Sequence, residues 1–496
     1  MTPSAHPGVQ ALLEHADDAI RAQDDLFGQV NGSWLAEAPI PGDLPSVGGF
    51  IDLQLQAEAE VGEILQEAAA DGDAEPGSAR RLIGDLYASF MDTDRIEALG
   101  TSPLADDLAA IDAASDLEDL AALLGRLQRE GLAGAAQAYV DTDDRNSERY
   151  LLHLVQGGLG LPDEAYYRED AHAELRAAYT AHVGEMLVLT GLGPAEAADA
   201  AERVVALETR LAGAHWDNVA CRDVIATYNL TRWDELAELA PAVAWDRWWE
   251  GITGAAAGTP PPAELLVAQP SFLEGLSSAL AEVPLDDWRA WLRFHLVGSA
   301  APHLSDEVVE ADFAFGGRIL TGTQELRARW KRGVRLCNAM VGEAVGREFV
   351  ARHFPPEAKA AMDELVANLV EAYRVSIVDL EWMTPATRER ALEKLGRFRS
   401  KIGYPDRWRD YSGLAVDRAD LLGNVRRAAA FETDRQLAKL GTPVDRDEWL
   451  MSPQTVNAYY NPGTNEICFP AGILQKPFFS PEAAEAENYG GIGAVI

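Results

Sequence analysis

The side chains able to do acid–base, nucleophilic or metal chemistry are spread thinly along this chain of 496 residues, and their spacing excludes several mechanisms. Two histidines four apart on a helix, with glutamate after the first, could hold zinc on one face and set a carboxylate beside a zinc-bound water. None of the nine histidines (His6, His15, His153, His172, His182, His215, His295, His303 and His353) stands in that H-E-x-x-H pattern, and none has another four residues away. His295 and His303 are eight apart across Gly298 and Pro302, which suits core or surface histidines rather than a metal pair. There is no G-x-S-x-G nucleophile turn and no G-x-x-x-x-G-K-[ST] phosphate loop. Asp141, Asp143 and Asp144 cluster, but without the glycine and distal glutamate of a calcium loop they read as a polar turn.

The elements that would position any site are mostly helical. A stripe of Ala57, Val61, Ile64 and Leu65 predicts one helix, broken by the segment from Gly72 to Pro76. Met362, Leu365, Val366, Leu369 and Tyr373 keep the spacing of a buried helix face. Thr384 and Pro385 predict the start of the next helix, as cap and first-turn residue. One hairpin is expected, with strands over residues 135–140 and 150–155 around a turn at Asp141-Thr142-Asp143-Asp144. The segment at residues 254–262 (GAAAGTPPP) reads as a loop, and no solenoid repeat is apparent. In the tail, strands are expected over residues 456–460 and 467–469 around Asn461-Pro462-Gly463.

Composition bounds the partners. A hydrophobic content of 47% and a charged content of 25% are those of an ordinary soluble protein. The formal net charge of −38 repels nucleic acid and anionic lipid, so neither nucleic acid nor membrane is expected as a partner. Residues 1–6 lack a basic region followed by an apolar core, and no apolar run is long enough to span a bilayer. Cys221, Cys337 and Cys468 are far apart and odd in number, which suits reduced thiols and a cytoplasmic location.

Ordered landmarks run through nearly the whole chain after residue 24. They are Asp24-Asp25-Leu26-Phe27, Val30-Asn31-Gly32-Ser33-Trp34-Leu35 and Ile40-Pro41, then Gln156-Gly157-Gly158-Leu159-Gly160-Leu161-Pro162 with Tyr166-Tyr167. Arg222-Asp223 with Tyr228-Asn229, Ile402-Gly403-Tyr404-Pro405 with Trp408, and residues 449–453 follow. Last come Asn457-Ala458-Tyr459-Tyr460, Phe469-Pro470-Ala471-Gly472-Ile473-Leu474-Gln475 and Asn488-Tyr489-Gly490-Gly491-Ile492-Gly493-Ala494-Val495-Ile496. In this order and spacing the chain resembles the neprilysin family of zinc metallopeptidases, which includes neprilysin, endothelin-converting enzyme and bacterial relatives.

The resemblance implies a mainly α fold with minor β: two lobes, a helical lid and a thermolysin-like catalytic lobe, with oligopeptide substrates enclosed between them. It divides the chain into a tail (1–23), an N-terminal peptidase region (24–425, with the lid at roughly 60–340 nearly complete) and the start of the zinc-peptidase domain (445–496), which is partial. In that family the final run leads directly into H-E-x-x-H. The zinc ligands are therefore expected beyond residue 496, the cofactor is zinc in the complete enzyme, and none is expected to be held by this chain alone.

The same matching leaves a substrate-binding wall. Asn457 corresponds to the asparagine whose amide bonds the substrate main chain, and Ala458 to the residue whose carbonyl does so. Ile473, Phe478 and Val495 correspond to positions lining the pocket for the residue after the scissile bond, while Ala494 replaces a larger apolar residue there. No catalytic residue is assigned within the chain. The expected function is the N-terminal part of an oligopeptide-cleaving zinc endopeptidase. The alternatives are an inactive peptide-binding protein, or one half of a split enzyme completed by a C-terminal catalytic fragment.

Overall fold

The computed structural model describes residues 15–254 and 259–496. The beginning of the expected tail and the middle of the expected loop at 254–262 lie outside them. The described chain is mainly helical with few strands, and its contacts separate it into two compact units. No helix among the described residues is long and apolar enough to cross a membrane.

Residues 85–326 and 411–445 form one unit. It holds a four-stranded sheet of β1 (Ala136–Asp143), β2 (Asn146–Gln156), β3 (Leu230–Arg232) and β4 (Glu264–Val267), in the order β1-β2-β4-β3. β1 and β2 make the expected antiparallel hairpin, but Asp141 and Asp143 belong to β1 rather than to a turn. Asp143 is buried there, accepting from Arg149 Nε at 2.8 Å and from the Tyr228 hydroxyl at 2.9 Å. Arg149 neutralises that carboxylate. β4 runs parallel to β2, and β3 antiparallel to β4.

Around this sheet the helices pack closely through glycine. The helices Leu117–Arg129 and Trp245–Thr253 meet at Gly125 and Gly251, where a Cβ would stand 2.2 Å from the Trp248 carbonyl oxygen and 2.3 Å from that of Ala122. Trp245, Trp248 and Trp249 fill the adjoining core. A buried carboxylate organises the other side of the unit. Glu208, 0% exposed, accepts from the Tyr167 hydroxyl (2.6 Å) and the Tyr179 hydroxyl (2.9 Å) and faces His295 Nε2 at 2.8 Å. Tyr167 in turn accepts from the backbone amides of Gly160 and Leu161. A side chain at Gly160 would collide with the Tyr179 hydroxyl, 1.8 Å from an added Cβ. The glycine-rich landmark at 156–162 is thus the wrapping of a buried acid.

Of the described residues, 15–84, 327–410 and 446–496 form the other unit. The helix Gly49–Ala70 buries Ala57, Val61, Ile64 and Leu65 as predicted and stops at Asp71. It packs on the helix Arg329–His353, with Trp330 against Gly62. The helix Pro356–Asp379 departs from expectation: Met362, Leu365 and Val366 are buried, but Leu369 is half-buried and Tyr373 is 57% exposed. Its apolar stripe runs off the core into an open groove. Thr384 caps the helix Pro385–Gly396 as predicted, accepting from Thr387 N at 3.2 Å. A second sheet follows, made of β5 (Arg399–Gly403), β6 (Tyr459–Asn461) and β7 (Glu466–Pro470). Its order is β5-β7-β6, with β5 parallel and β6 antiparallel to β7. The tail strands were expected in slightly different places; β6 begins at Tyr459, so Val456 and Asn457 precede it.

Candidate functional site

β6 is the edge of its sheet, and what holds it there begins several residues upstream. The helix Arg329–His353 is kinked at Val341, where φ is −137° and ψ is 38°. The backbone oxygen left at the kink, on Gly342, accepts from Gln454 Nε2 at 3.0 Å, and the same nitrogen donates to Asn338 Oδ1 at 2.7 Å. Gly342 and Gly346 lie one turn apart on this helix, and Ser452 and Pro453 pack where side chains would otherwise project. A Cβ on Gly346 would stand 2.6 Å from Pro453 Cδ. Gly472 closes the clamp from the other side: its N–H donates to the Pro453 oxygen at 2.8 Å, and an added Cβ would meet the Gln454 carbonyl oxygen at 2.5 Å.

β7, buried along its whole length, is fastened to β5 by an internal ion pair. Lys401 Nζ reaches Glu466 Oε1 at 2.7 Å and donates to the Glu448 carbonyl at 2.5 Å. The Tyr459 hydroxyl lies 3.4 Å from the same Glu466 oxygen. Burial pushes the Cys468 thiol up to about 12 and the Tyr459 hydroxyl well above its usual range, so neither is ionised at neutral pH. Sequence reasoning did not find Gln454, Lys401 or Glu466. Gly342 and Gly346, four apart opposite the landmark at 449–453, were the available signal for the clamp. No local pattern marks the ion pair, which joins two strands far apart in the chain.

Asn457 is exposed immediately before the edge strand. Its Oδ1 accepts from the N–H of Ala458 at 2.8 Å, which orients the carboxamide and leaves the amide nitrogen without a partner among the described residues. Ala458 is half-buried beside it. Among the described residues no strand pairs with the outer edge of β6, so its main-chain groups are open to an added strand. Ile473, by contrast, is 0% exposed and packs as core. Phe478 is half-buried with its ring 4.3 Å from that of Phe50. The Phe478 carbonyl accepts from Ile492 N at 2.8 Å, which brings Phe478 next to the short helix Ile492–Val495 carrying the half-buried Val495. Thus Asn457 and Ala458 sit together at the edge, Phe478 and the segment of Val495 sit together, and Ile473 is withdrawn into the core.

The residues present do not fit a zinc site. Among the described residues no three His, Cys, Asp or Glu are grouped so as to hold a metal. His295 is committed to Glu208, His215 Nε2 lies 2.9 Å from the Gly157 carbonyl, and His353 Nδ1 lies 3.8 Å from Glu60. Cys337 is fully buried, and its thiol, like that of Cys468, is held protonated by burial.

Close by β6 lies a groove of about 520 Å³, lined by Val366, Leu369, Tyr373, Leu395, Phe398 and Ile496 among others. Tyr460 of β6 forms part of its wall, with Lys394 Nζ 5.6 Å from the ring centroid. Trp382, 75% exposed, follows the same helix, Pro356–Asp379.

Comparison with known proteins identifies the family. A family model described as Peptidase family M13 matches residues 22–405, and a second with the same description matches residues 457–496. The chain is 52% identical to the zinc metalloprotease Zmp1 of Mycobacterium tuberculosis in its inhibitor-bound crystal structure, with a TM-score of 0.92 over 97% of this chain and 73% of that one. It is 28% identical to the neutral endopeptidase of Lactobacillus helveticus over 96% of this chain and 73% of the relative. With neprilysin-3 of Drosophila melanogaster the identity is 29%, over 98% of this chain and 64% of the relative.

Proposed function

Since the chain belongs to peptidase family M13, the neprilysin-like zinc metallopeptidases, we propose that it supplies the substrate-holding part of an oligopeptide-cleaving endopeptidase whose zinc ligands lie outside these 496 residues. The observation that carries the proposal is the open edge of β6 with the oriented carboxamide of Asn457 beside it. An extended peptide pairs with that edge through main-chain hydrogen bonds, which tolerate any sequence, while Asn457 Nδ2 donates to a peptide carbonyl. The Ala458 carbonyl accepts from a peptide N–H. Phe478 and Val495 give the neighbouring subsite an apolar wall, so bulky hydrophobic side chains are preferred there.

Zinc, when bound in the complete enzyme, supplies an acidified water and a polarised carbonyl. This chain's own part is to hold the peptide straight and fix its register. The apolar groove of Val366, Leu369 and Tyr373 receives the remaining catalytic segment, whose helices need a greasy face to pack on. Three free cysteines suit work in the cytoplasm.

Two measurements test this reading. A labelled oligopeptide with a central Phe or Leu should bind the 496-residue chain, and Asn457→Ala should weaken it about tenfold, the loss of one or two well-placed hydrogen bonds. Co-expression with a family catalytic fragment bearing H-E-x-x-H should give one zinc per complex and peptide hydrolysis. Zinc-dependent hydrolysis by the 496 residues alone would overturn the assignment of the ligands. Peptide binding with no gain of zinc on co-expression would favour a non-catalytic peptide binder.

A further inference from the structure

Outside the edge strand, the unit of residues 85–326 and 411–445 contains a cavity of about 390 Å³ that the peptidase reading does not use. Tyr179, His182, Phe294, His295, Asp312 and Phe315 line it. Its aromatic wall is continuous: Tyr179 lies 5.9 Å from Phe294 and 5.4 Å from Phe315, and His182 stacks on Phe315 at 5.0 Å. One polar group in it is buried and unsatisfied, and a half-buried carboxylate stands beside it. His182 is only 8% exposed, and its Nδ1 is buried without a hydrogen-bond partner. The Asp312 carboxylate, one turn before Phe315, forms no hydrogen bond or ion pair with any described residue. A buried polar group left without a partner costs about 1–3 kcal/mol, so a group such as His182 Nδ1 is retained where something else satisfies it.

The backbone marks the same place. Residues 314–321 form a π-helical turn directly after the helix Asp306–Phe313, and Phe315, Gly316 and Leu320 from it line the cavity. Such turns are rare and recur at functional sites, because the wider turn re-aims side chains at the expense of the regular ladder.

We propose that this cavity binds a small organic cation bearing a primary ammonium group, seated between the Asp312 carboxylate and the faces of Tyr179, Phe294 and Phe315. The carboxylate supplies a charge-assisted hydrogen bond, the rings supply cation–π attraction, and the lone pair of a neutral His182 supplies a second acceptor. No lysine or arginine lines the cavity, and its only other charge-bearing side chain, His295, is turned to Glu208. An anion would meet Asp312 with nothing positive to offset it, since burial lowers the pKa of His182 to about 4. A neutral guest would leave the Asp312 charge uncompensated. A divalent ion lacks the grouped ligands it needs. Partial burial raises Asp312 to about 6, so at neutral pH the carboxylate is ionised and available to a cation partner.

The test is calorimetric titration of the full chain at neutral pH with 1,4-diaminobutane, set against the neutral isostere 1,4-butanediol. One saturable site per chain is expected for the diamine and none for the diol. Asp312→Asn should weaken the diamine at least tenfold, whereas Asp406→Asn, on a fully exposed carboxylate of the other unit, should leave it unchanged. Should Asp312→Asn fail to fold, Phe315→Leu replaces it and should weaken binding at least threefold. Binding of the diol as tightly as the diamine would overturn the proposal. So would many weak diamine sites indifferent to both cavity substitutions, the behaviour of a general polyanion.

Discussion

Lys401 and Glu466 meet inside the β5–β7 sheet with almost no water, so each is tolerable only because the other is there. Lys401→Met should cost roughly 3–5 kcal/mol in urea unfolding, because it strands a buried carboxylate, while Lys401→Met combined with Glu466→Met should recover most of that loss. A second prediction concerns acid. Burial lowers His182 and His303 from 6.5 to about 4. Below 6.5 the unfolded chain therefore takes up protons that the folded chain refuses, and stability falls as pH drops towards 4. Asp312, raised from 3.8 to about 6, acts in the opposite sense: it keeps its proton in the folded state, and the stability this contributes is lost as pH rises through that range. Two rings outweigh one carboxyl, so the urea midpoint should decline on acidification from pH 6.5 to 4, and His182→Gln should flatten the decline. At this scale the sequence was legible where a residue's role is local or belongs to a family motif. Thr384, read as a helix cap from its side chain and the proline after it, is one such residue. Glu208 was not legible, because its partners Tyr167, Tyr179 and His295 come from separate elements and nothing in its immediate neighbours announces burial.

Among the elements, the edge strand is held by backbone packed on backbone, and glycine is what permits it. Gly472→Ala places a methyl 2.5 Å from the Gln454 carbonyl oxygen, and neither peptide can retreat without opening the clamp on Gly342. The substitution should destabilise its unit by about 2 kcal/mol or more and displace β6, with peptide binding lost beyond what the stability change explains. Helices were the readable elements. Those with a core face three turns long, such as Gly49–Ala70, announce themselves by period, and Thr384 marks a start by its side-chain chemistry. The short strands β3, β4 and β5 were missed because three to five residues carry too few alternations to register a period of two. The stripe from Met362 to Tyr373 misled in an informative way. Periodicity reports that a helix has an apolar face; it says nothing of whether the surface that covers it belongs to the same 496 residues.

For the whole molecule, charge is the property that sequence alone determines. A net charge of −38 and an isoelectric point of about 4.5 predict a solubility minimum near that pH. They also predict that association with a cationic oligopeptide slows severalfold between low and physiological salt, while a neutral peptide is little affected; stopped-flow fluorescence distinguishes the two. The mainly helical class was legible from helical period and from the family resemblance. The partition into units was not, because each is assembled from separated stretches of chain and no linker composition marks the crossings.

That interleaving bears on biogenesis. Among the described residues β5 pairs only with β7, and the residue facing Lys401 across the sheet, Cys468, is translated well after it. At about 5–20 residues per second, a nascent chain carries an unpaired β5, with Lys401 and Ile402 lacking their burial partners, for an interval on the order of several seconds. The open edge at β6 therefore takes its place in the sheet only after β7 has emerged. During that interval the nascent chain is the natural client of chaperones, and slowing translation between codons 403 and 466 should lengthen their hold on it.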